Sequence, residues 1–300
     1  MPSRLLALAQ LVRLPNVFTA FADILLAACV VGLFTGHLGT LALLLAASGC
    51  LYLSGMAWND FFDRADDART RPTRPLPSGR IRPRTAALIA AGLMLVGVAC
   101  AVFAGWPDPT VGVTAAVLAA LILLYDAVLK HYWVGPVGMG LCRFLNVLMG
   151  TLVIPGEEWQ KLGLLPLHVA GVVGLYIVGV TWFARTEEGT SKRWVLIAAG
   201  VVTAVAVLLA AVIPLHFDEG KTPFYFPYLL VGFGFVVGRP VVTAIHTPSA
   251  KNVQAAVKRC ILGLVLLDAV LACVFVGWPG LLIVLLLVPA VLLGKRVYST

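Results

Sequence analysis

Ala86-Ala87-Leu88-Ile89-Ala90-Ala91-Gly92-Leu93-Met94-Leu95-Val96-Gly97-Val98-Ala99-Cys100-Ala101-Val102-Phe103-Ala104-Gly105 is a run of twenty residues without a single charge. At about 1.5 Å per residue such a helix covers roughly 30 Å, the hydrocarbon thickness of a bilayer. It has no polar face, so it does not read as the surface helix of a soluble domain. Nine further apolar runs surround it, at 15–34, 38–58, 110–129, 134–154, 165–184, 194–214, 224–243, 258–277 and 280–294. The last is short, so the expectation is an all-α, polytopic membrane bundle of nine to ten transmembrane helices. Composition agrees: of 300 residues, 60% are hydrophobic and 12% charged, and the mean hydropathy is +0.97. A soluble domain has about 45–50% apolar and about 25% charged residues. Soluble enzymes are therefore excluded, and so is a disordered chain, which needs low hydrophobicity. Residues 1–300 read as one integral membrane domain, with function inside the bundle or in its loops.

The net charge of +8 reads as a topology signal rather than as nucleic-acid binding. With ten spans and a cytoplasmic N-terminus, 19 of the 22 Lys and Arg fall on the cytoplasmic side. Only Lys161 and Lys221 fall outside and Arg143 within a run, as the positive-inside rule requires. Lys295 and Arg296 favour ten spans over nine. Trp106, Trp133, Trp159, Trp182 and Trp278 stand at run ends, like interfacial anchors. The six cysteines, with no C-x-x-C pair, read as small buried hydrophobes. The five histidines are scattered near run ends without ligand spacing. No protein partner is inferable.

Chemistry concentrates after the second run, in Asn59-Asp60-Phe61-Phe62-Asp63-Arg64-Ala65-Asp66-Asp67, followed by Arg69, Arg71, Arg74 and Arg80. If the helix continues, Asp60, Asp63 and Asp67 fall at i, i+3 and i+7, on one face, with Asp66 pointing elsewhere. Clustered carboxylates repel, and a bound cation relieves them. One or two carboxylates completed by substrate phosphates are what Mg²⁺ prefers, and arginine grips phosphate oxygens. The set suggests a lipid diphosphate held through Mg²⁺ at a membrane surface.

This N-D-x-x-D-x-x-x-D pattern, with Arg74-Pro75-Leu76 behind it, resembles the UbiA superfamily of intramembrane prenyltransferases. Asn59, Asp60, Asp63 and Asp67 match its first aspartate-rich motif. Tyr125-Asp126-Ala127-Val128-Leu129-Lys130 looks like its tyrosine-to-lysine segment. Leu14–Ala20, Met139–Asn146 and the ending Val297–Thr300 are similar to the EboC branch. The resemblance implies a UbiA-like fold and transfer of a prenyl group from a polyprenyl diphosphate to a small aromatic or lipidic acceptor. It implies Mg²⁺ on Asp60, Asp63 and Asp67, with Lys130 in the catalytic set. Diphosphate contacts would come from Asn59, Arg74, Lys130, Arg143 and Lys192, with Asn16, Tyr125 and Asn146 beside them. The location implied is a bacterial inner membrane, with the site facing the cytoplasm.

The family's second aspartate-rich loop corresponds here to Thr181–Arg193, with Arg185 where an Asp is expected and Glu187 and Glu188 remaining. Either a Glu still binds metal, or Arg185 contacts phosphate directly. Asp126 offers a substitute ligand. A second reading is a UbiA-like protein that binds a prenyl lipid or metabolite for export or presentation without turnover. Ionisable groups inside spans are functional candidates by default: Asp23 shares a helix face with Asn16, and Arg143 shares one with Asn146. For Asp268, at mid-run, structural pairing is the favoured reading.

Overall fold

A computed structural model describes residues 4–185, 192–217 and 222–298. Among these residues every regular element is helical. In chain order they are α1 (Arg4–Leu11), α2 (Val17–Val31), α3 (Leu38–Phe62), α4 (Arg64–Thr70), α5 (Pro83–Gly105), α6 (Thr110–Ala127) and α7 (Gly135–Thr151). Then come α8 (Gly156–Lys161), α9 (Leu165–Ala184), α10 (Arg193–Ala211), α11 (Phe226–His246), α12 (Ala250–Val276) and α13 (Leu287–Tyr298), the last preceded by a 3₁₀ segment at Trp278–Leu286. Nine segments among the described residues are long and apolar enough to span a membrane. With only 17 residues, or about 26 Å, α7 is slightly short, yet it packs inside the bundle against α2, α6 and α9.

The two chain ends count the crossings. Gln10, in α1, donates from Nε2 to the carbonyl of Val297, in α13, at 2.9 Å. Both ends therefore lie at one end of the bundle, which demands an even number of crossings, and α7 supplies the tenth. The helix starts follow from local chemistry. Proline stands in the first turn of α5, α7, α9 and α11, where its missing N–H costs nothing. Ahead of α6, the hydroxyl and N–H of Thr110 both donate to Asp108 and hold its carboxyl below the ordinary range.

α2 and α12 form the centre: 67% of the apolar stretch of each is buried, against 22% for Trp278–Val297. Leu88, Leu95, Phe103, Leu208 and Phe235 are each more than two-thirds exposed. On a soluble protein such patches would be sticky; here they face lipid. Between helices, where lipid removes the hydrophobic driving force, small residues permit close packing. A Cβ on Gly140 of α7 would lie 2.6 Å from the Gly174 carbonyl of α9, and one on Gly97 of α5 would lie 3.1 Å from the Ala47 carbonyl of α3. All six cysteines are free, three buried and three half-buried, in keeping with hydrophobic packing.

Candidate active site

The last turn of α3 brings Asn59 and Asp60 to the end of the bundle where the chain termini meet. The helix closes at Phe62, but the pitch is nearly kept through the joint: Asp63 N–H reaches Asn59 O at 3.0 Å and Asp67 N–H reaches Asp63 O at 2.8 Å. Beyond Thr70 the prolines at 72, 75 and 77 deny the helix its donors and disfavour α geometry in the residues ahead of them. The loop folds back, with Gly79 at φ 71° making a turn that side chains resist. Arg80 ties this loop to α1 through Gln10 Oε1 at 2.7 Å.

The return brings Arg74 Nη1 to 2.7 Å from Asp67 Oδ2 and 3.5 Å from Asp60 Oδ1. Asp60 and Asp67 are almost fully enclosed, and Asp66 is exposed. Asp63 turns instead to Lys130, whose Nζ is 2.6 Å from its Oδ1. The three carboxylates expected on one face thus divide between two cations, Arg74 and Lys130. No three His, Cys, Asp or Glu among the described residues stand ready to share an ion. Two carboxylates converge, and one arginine nitrogen sits at their meeting point.

Asn59 is the hub of a second layer. Its Oδ1 accepts from Arg13 Nη2 at 3.1 Å, and its Nδ2 donates to Asp126 Oδ1 at 3.1 Å. Arg13 also reaches Asp60 Oδ1 at 3.2 Å. Sequence reasoning counted Arg13 only as a topology charge. Its signal is structural, a left-handed backbone at φ 47°, ψ 48° on a non-glycine residue, the kind of strain that collects at functional sites. Four acids (Asp60, Asp63, Asp67, Asp126) thus meet three bases (Arg13, Arg74, Lys130).

Asp126 and Tyr125 also line a crevice whose other walls include Tyr52, Met139, Arg143 and Asn146. Arg143 and Asn146 do share a face, and both hold Asp23 Oδ2, at 3.0 and 2.8 Å. Asn16 meets Tyr52 of the crevice wall through its side chain and also borders a groove with Lys258 and Lys295. Lys192 is exposed at the head of α10, and no described ion pair includes it. Arg185 donates from Nη1 to the carbonyl of Tyr132 at 2.6 Å, which fastens it to the α6–α7 loop. Glu187 and Glu188 lie outside the described residues. His168 and His216, remote in sequence, meet with their ring nitrogens 2.9 Å apart. His168 Nε2 lies 3.0 Å from the Leu209 carbonyl, which can only accept; His168 Nδ1 is then the acceptor for His216.

Known proteins share this arrangement of helices. A digeranylgeranylglyceryl phosphate synthase of Methanothrix thermoacetophila is 28% identical over 235 residues, 71% of this chain and 82% of that protein. A second such synthase, from Methanopyrus kandleri, is 49% identical over 61 residues, 20% of this chain and 22% of that one. Among solved structures, a UbiA homolog from Aeropyrum pernix K1 superposes with a TM-score of 0.64 at 16% identity, covering 85% of this chain and 96% of that one. A UbiA homolog from Archaeoglobus fulgidus bound to DMAPP and Mg²⁺ gives 0.57 at 15% identity, covering 86% and 98%. Residues 16–257, running from the turn before α2 into the first turns of α12, match the UbiA prenyltransferase family, and the chain belongs to that family of integral membrane enzymes.

Proposed function

We propose that this prenyltransferase moves a prenyl group from an allylic polyprenyl diphosphate to a small acceptor, with Mg²⁺, at the cytoplasmic face of the membrane. The supporting observation is the gathering of Asp60 and Asp67 about Arg74 Nη1, beside a largely apolar crevice that Asp126 and Tyr125 border. The donor set fits the ion. These are hard oxygen ligands, two carboxylates held together by a cation, and Mg²⁺ typically completes such a shell with substrate phosphate oxygens. When bound, Mg²⁺ would neutralise charge on the leaving diphosphate.

The chain's own residues do the rest. As a diphosphate arrives, Arg13, Arg74 and Lys130 exchange carboxylate partners for phosphate oxygens, so cations already stand where negative charge develops. The C1–O bond breaks with its electron pair on the diphosphate. The acceptor's nucleophile bonds to C1, and its proton leaves on the diphosphate. The apolar lining of the crevice keeps water from quenching the allylic cation. The names of the archaeal relatives support a glycerophosphate lipid as acceptor.

The test is transfer of radiolabelled geranylgeranyl diphosphate by detergent-purified protein. Activity is expected to vanish with EDTA and return with Mg²⁺, and Asp67→Asn is expected to lower kcat/KM at least 100-fold. Binding of the donor without any diphosphate release would support the non-catalytic carrier reading instead. Full activity in EDTA would overturn the metal assignment.

A further inference from the structure

Asp268 lies midway along α12, fully enclosed, and neither of its carboxyl oxygens meets a donor among the described residues. An unpaired carboxylate inside a membrane bundle costs several kcal/mol. Its side chain meets that of Asp23 on α2. Asp23 is also fully enclosed. Its Oδ2 accepts from Arg143 and Asn146, while its Oδ1 has no donor. Two carboxyls thus face one guanidinium. Ionised together they would repel at contact and leave an uncompensated charge in the membrane interior. One proton on Asp268 resolves both defects, because its O–H then donates to the free Oδ1 of Asp23. The remaining charges form a single pair, Asp23 with Arg143.

That pair is aimed. Asp23 holds the guanidinium from behind, Thr19 Oγ1 accepts from its Nη2 at 2.7 Å, and the Arg143 side chain keeps 12% of its surface exposed in the crevice wall. It lies eight residues along α7 from Gly135, roughly 12 Å inward from the joint that carries Lys130. Arg13, Arg74 and Lys130 gather in the acid cluster beyond Asp126, whereas Arg143, which the resemblance grouped with the diphosphate contacts, lies apart from them in the crevice wall. We infer that Arg143 anchors an anionic group of the acceptor, phosphate or carboxylate, and that protonated Asp268 is a positioning residue acting through Asp23. This rests on the prenyl transfer proposed above. A diphosphate at the acid cluster and an anion at Arg143 place the acceptor's nucleophile between them, toward C1 of the donor.

Equilibrium binding to the detergent-purified full chain tests this without requiring turnover. Two matched pairs of probes separate the anion's source: geranylgeranylglyceryl phosphate against its dephosphorylated alcohol, and 4-hydroxybenzoate against 4-hydroxybenzyl alcohol. The wild type is expected to favour the anionic member of one pair at least tenfold. Arg143→Gln should abolish that preference while the Kd for geranylgeranyl diphosphate with Mg²⁺ stays within twofold, and Arg143→Lys should keep part of it. Asp268→Asn, whose amide donates as the protonated acid does, should keep the preference, and Asp268→Leu should lose it. No anionic preference in the wild type, or its survival in Arg143→Gln, overturns the anchor, as does a tenfold loss of donor affinity in Arg143→Gln. Equal loss in Asp268→Asn and Asp268→Leu overturns the shared proton. Anionic preference without any transfer would leave this inference standing and sink the proposed reaction.

Discussion

Arg13 sits in a left-handed backbone that costs an L residue roughly 1–2 kcal/mol, and its guanidinium spans Asn59 and Asp60. Two substitutions separate these facts. Arg13→Ala and Arg13→Gly both remove the guanidinium, and each is expected to raise the donor KM about tenfold, the scale of one charge-assisted hydrogen bond. Only Gly accepts the positive φ freely, so Arg13→Gly should melt at a higher temperature than Arg13→Ala, by the equivalent of about 1 kcal/mol. Equal melting temperatures would show the backbone to be unstrained. For Lys130→Ala, loss of the cation paired with Asp63 should raise the donor KM by a similar factor, read in the same transfer assay. At this scale the acidic motif was plain in the sequence because Asn59, Asp60, Asp63 and Asp67 lie within nine residues. The Arg13–Asp60 pair, 47 residues apart, was not. A basic residue near a membrane surface carries no mark of the acid it will meet.

Among elements, α7 matters most to the crevice, since it carries Arg143 and Asn146 and closes on α9 through Gly140 and Gly174. Gly140→Leu would drive a side chain into the Gly174 carbonyl, with a methylene already at 2.6 Å. Overpacking of this kind costs about 1–3 kcal/mol, so the expected result is a lower melting temperature together with weakened transfer as α7 shifts. Unchanged melting would mean that the two helices separate freely. The apolar runs located the spans because a lipid-facing helix has no freedom to be polar. The run at 134–154 became the shorter α7, and the short helices α1 and α8 fall outside every run. The break after Phe62 was also hidden, since helical spacing alone continues through Asp63. There the return of the Arg74 loop, fastened by Arg80 to Gln10, decides where each carboxylate points.

For the whole molecule, the Gln10–Val297 bond makes a topological claim. Reporters fused to the two ends are expected to lie on the same side of the membrane, and the positive-inside rule predicts a cytoplasmic location for both. Opposite labelling of the ends would require an odd number of crossings and would remove α7 or the last segment from the count. The sequence by itself determined the membrane class, the all-helical bundle and the family's first acidic motif. Hydropathy must satisfy the bilayer span by span, and motif residues adjacent in the chain stay adjacent in space. Only the tertiary structure decided which bases neutralise which acids, that Asp63 leaves its companions for Lys130, and that Asp268 meets Asp23 beneath Arg143. Most of those contacts join residues tens to hundreds of positions apart, and they form only once helices and loops have packed together.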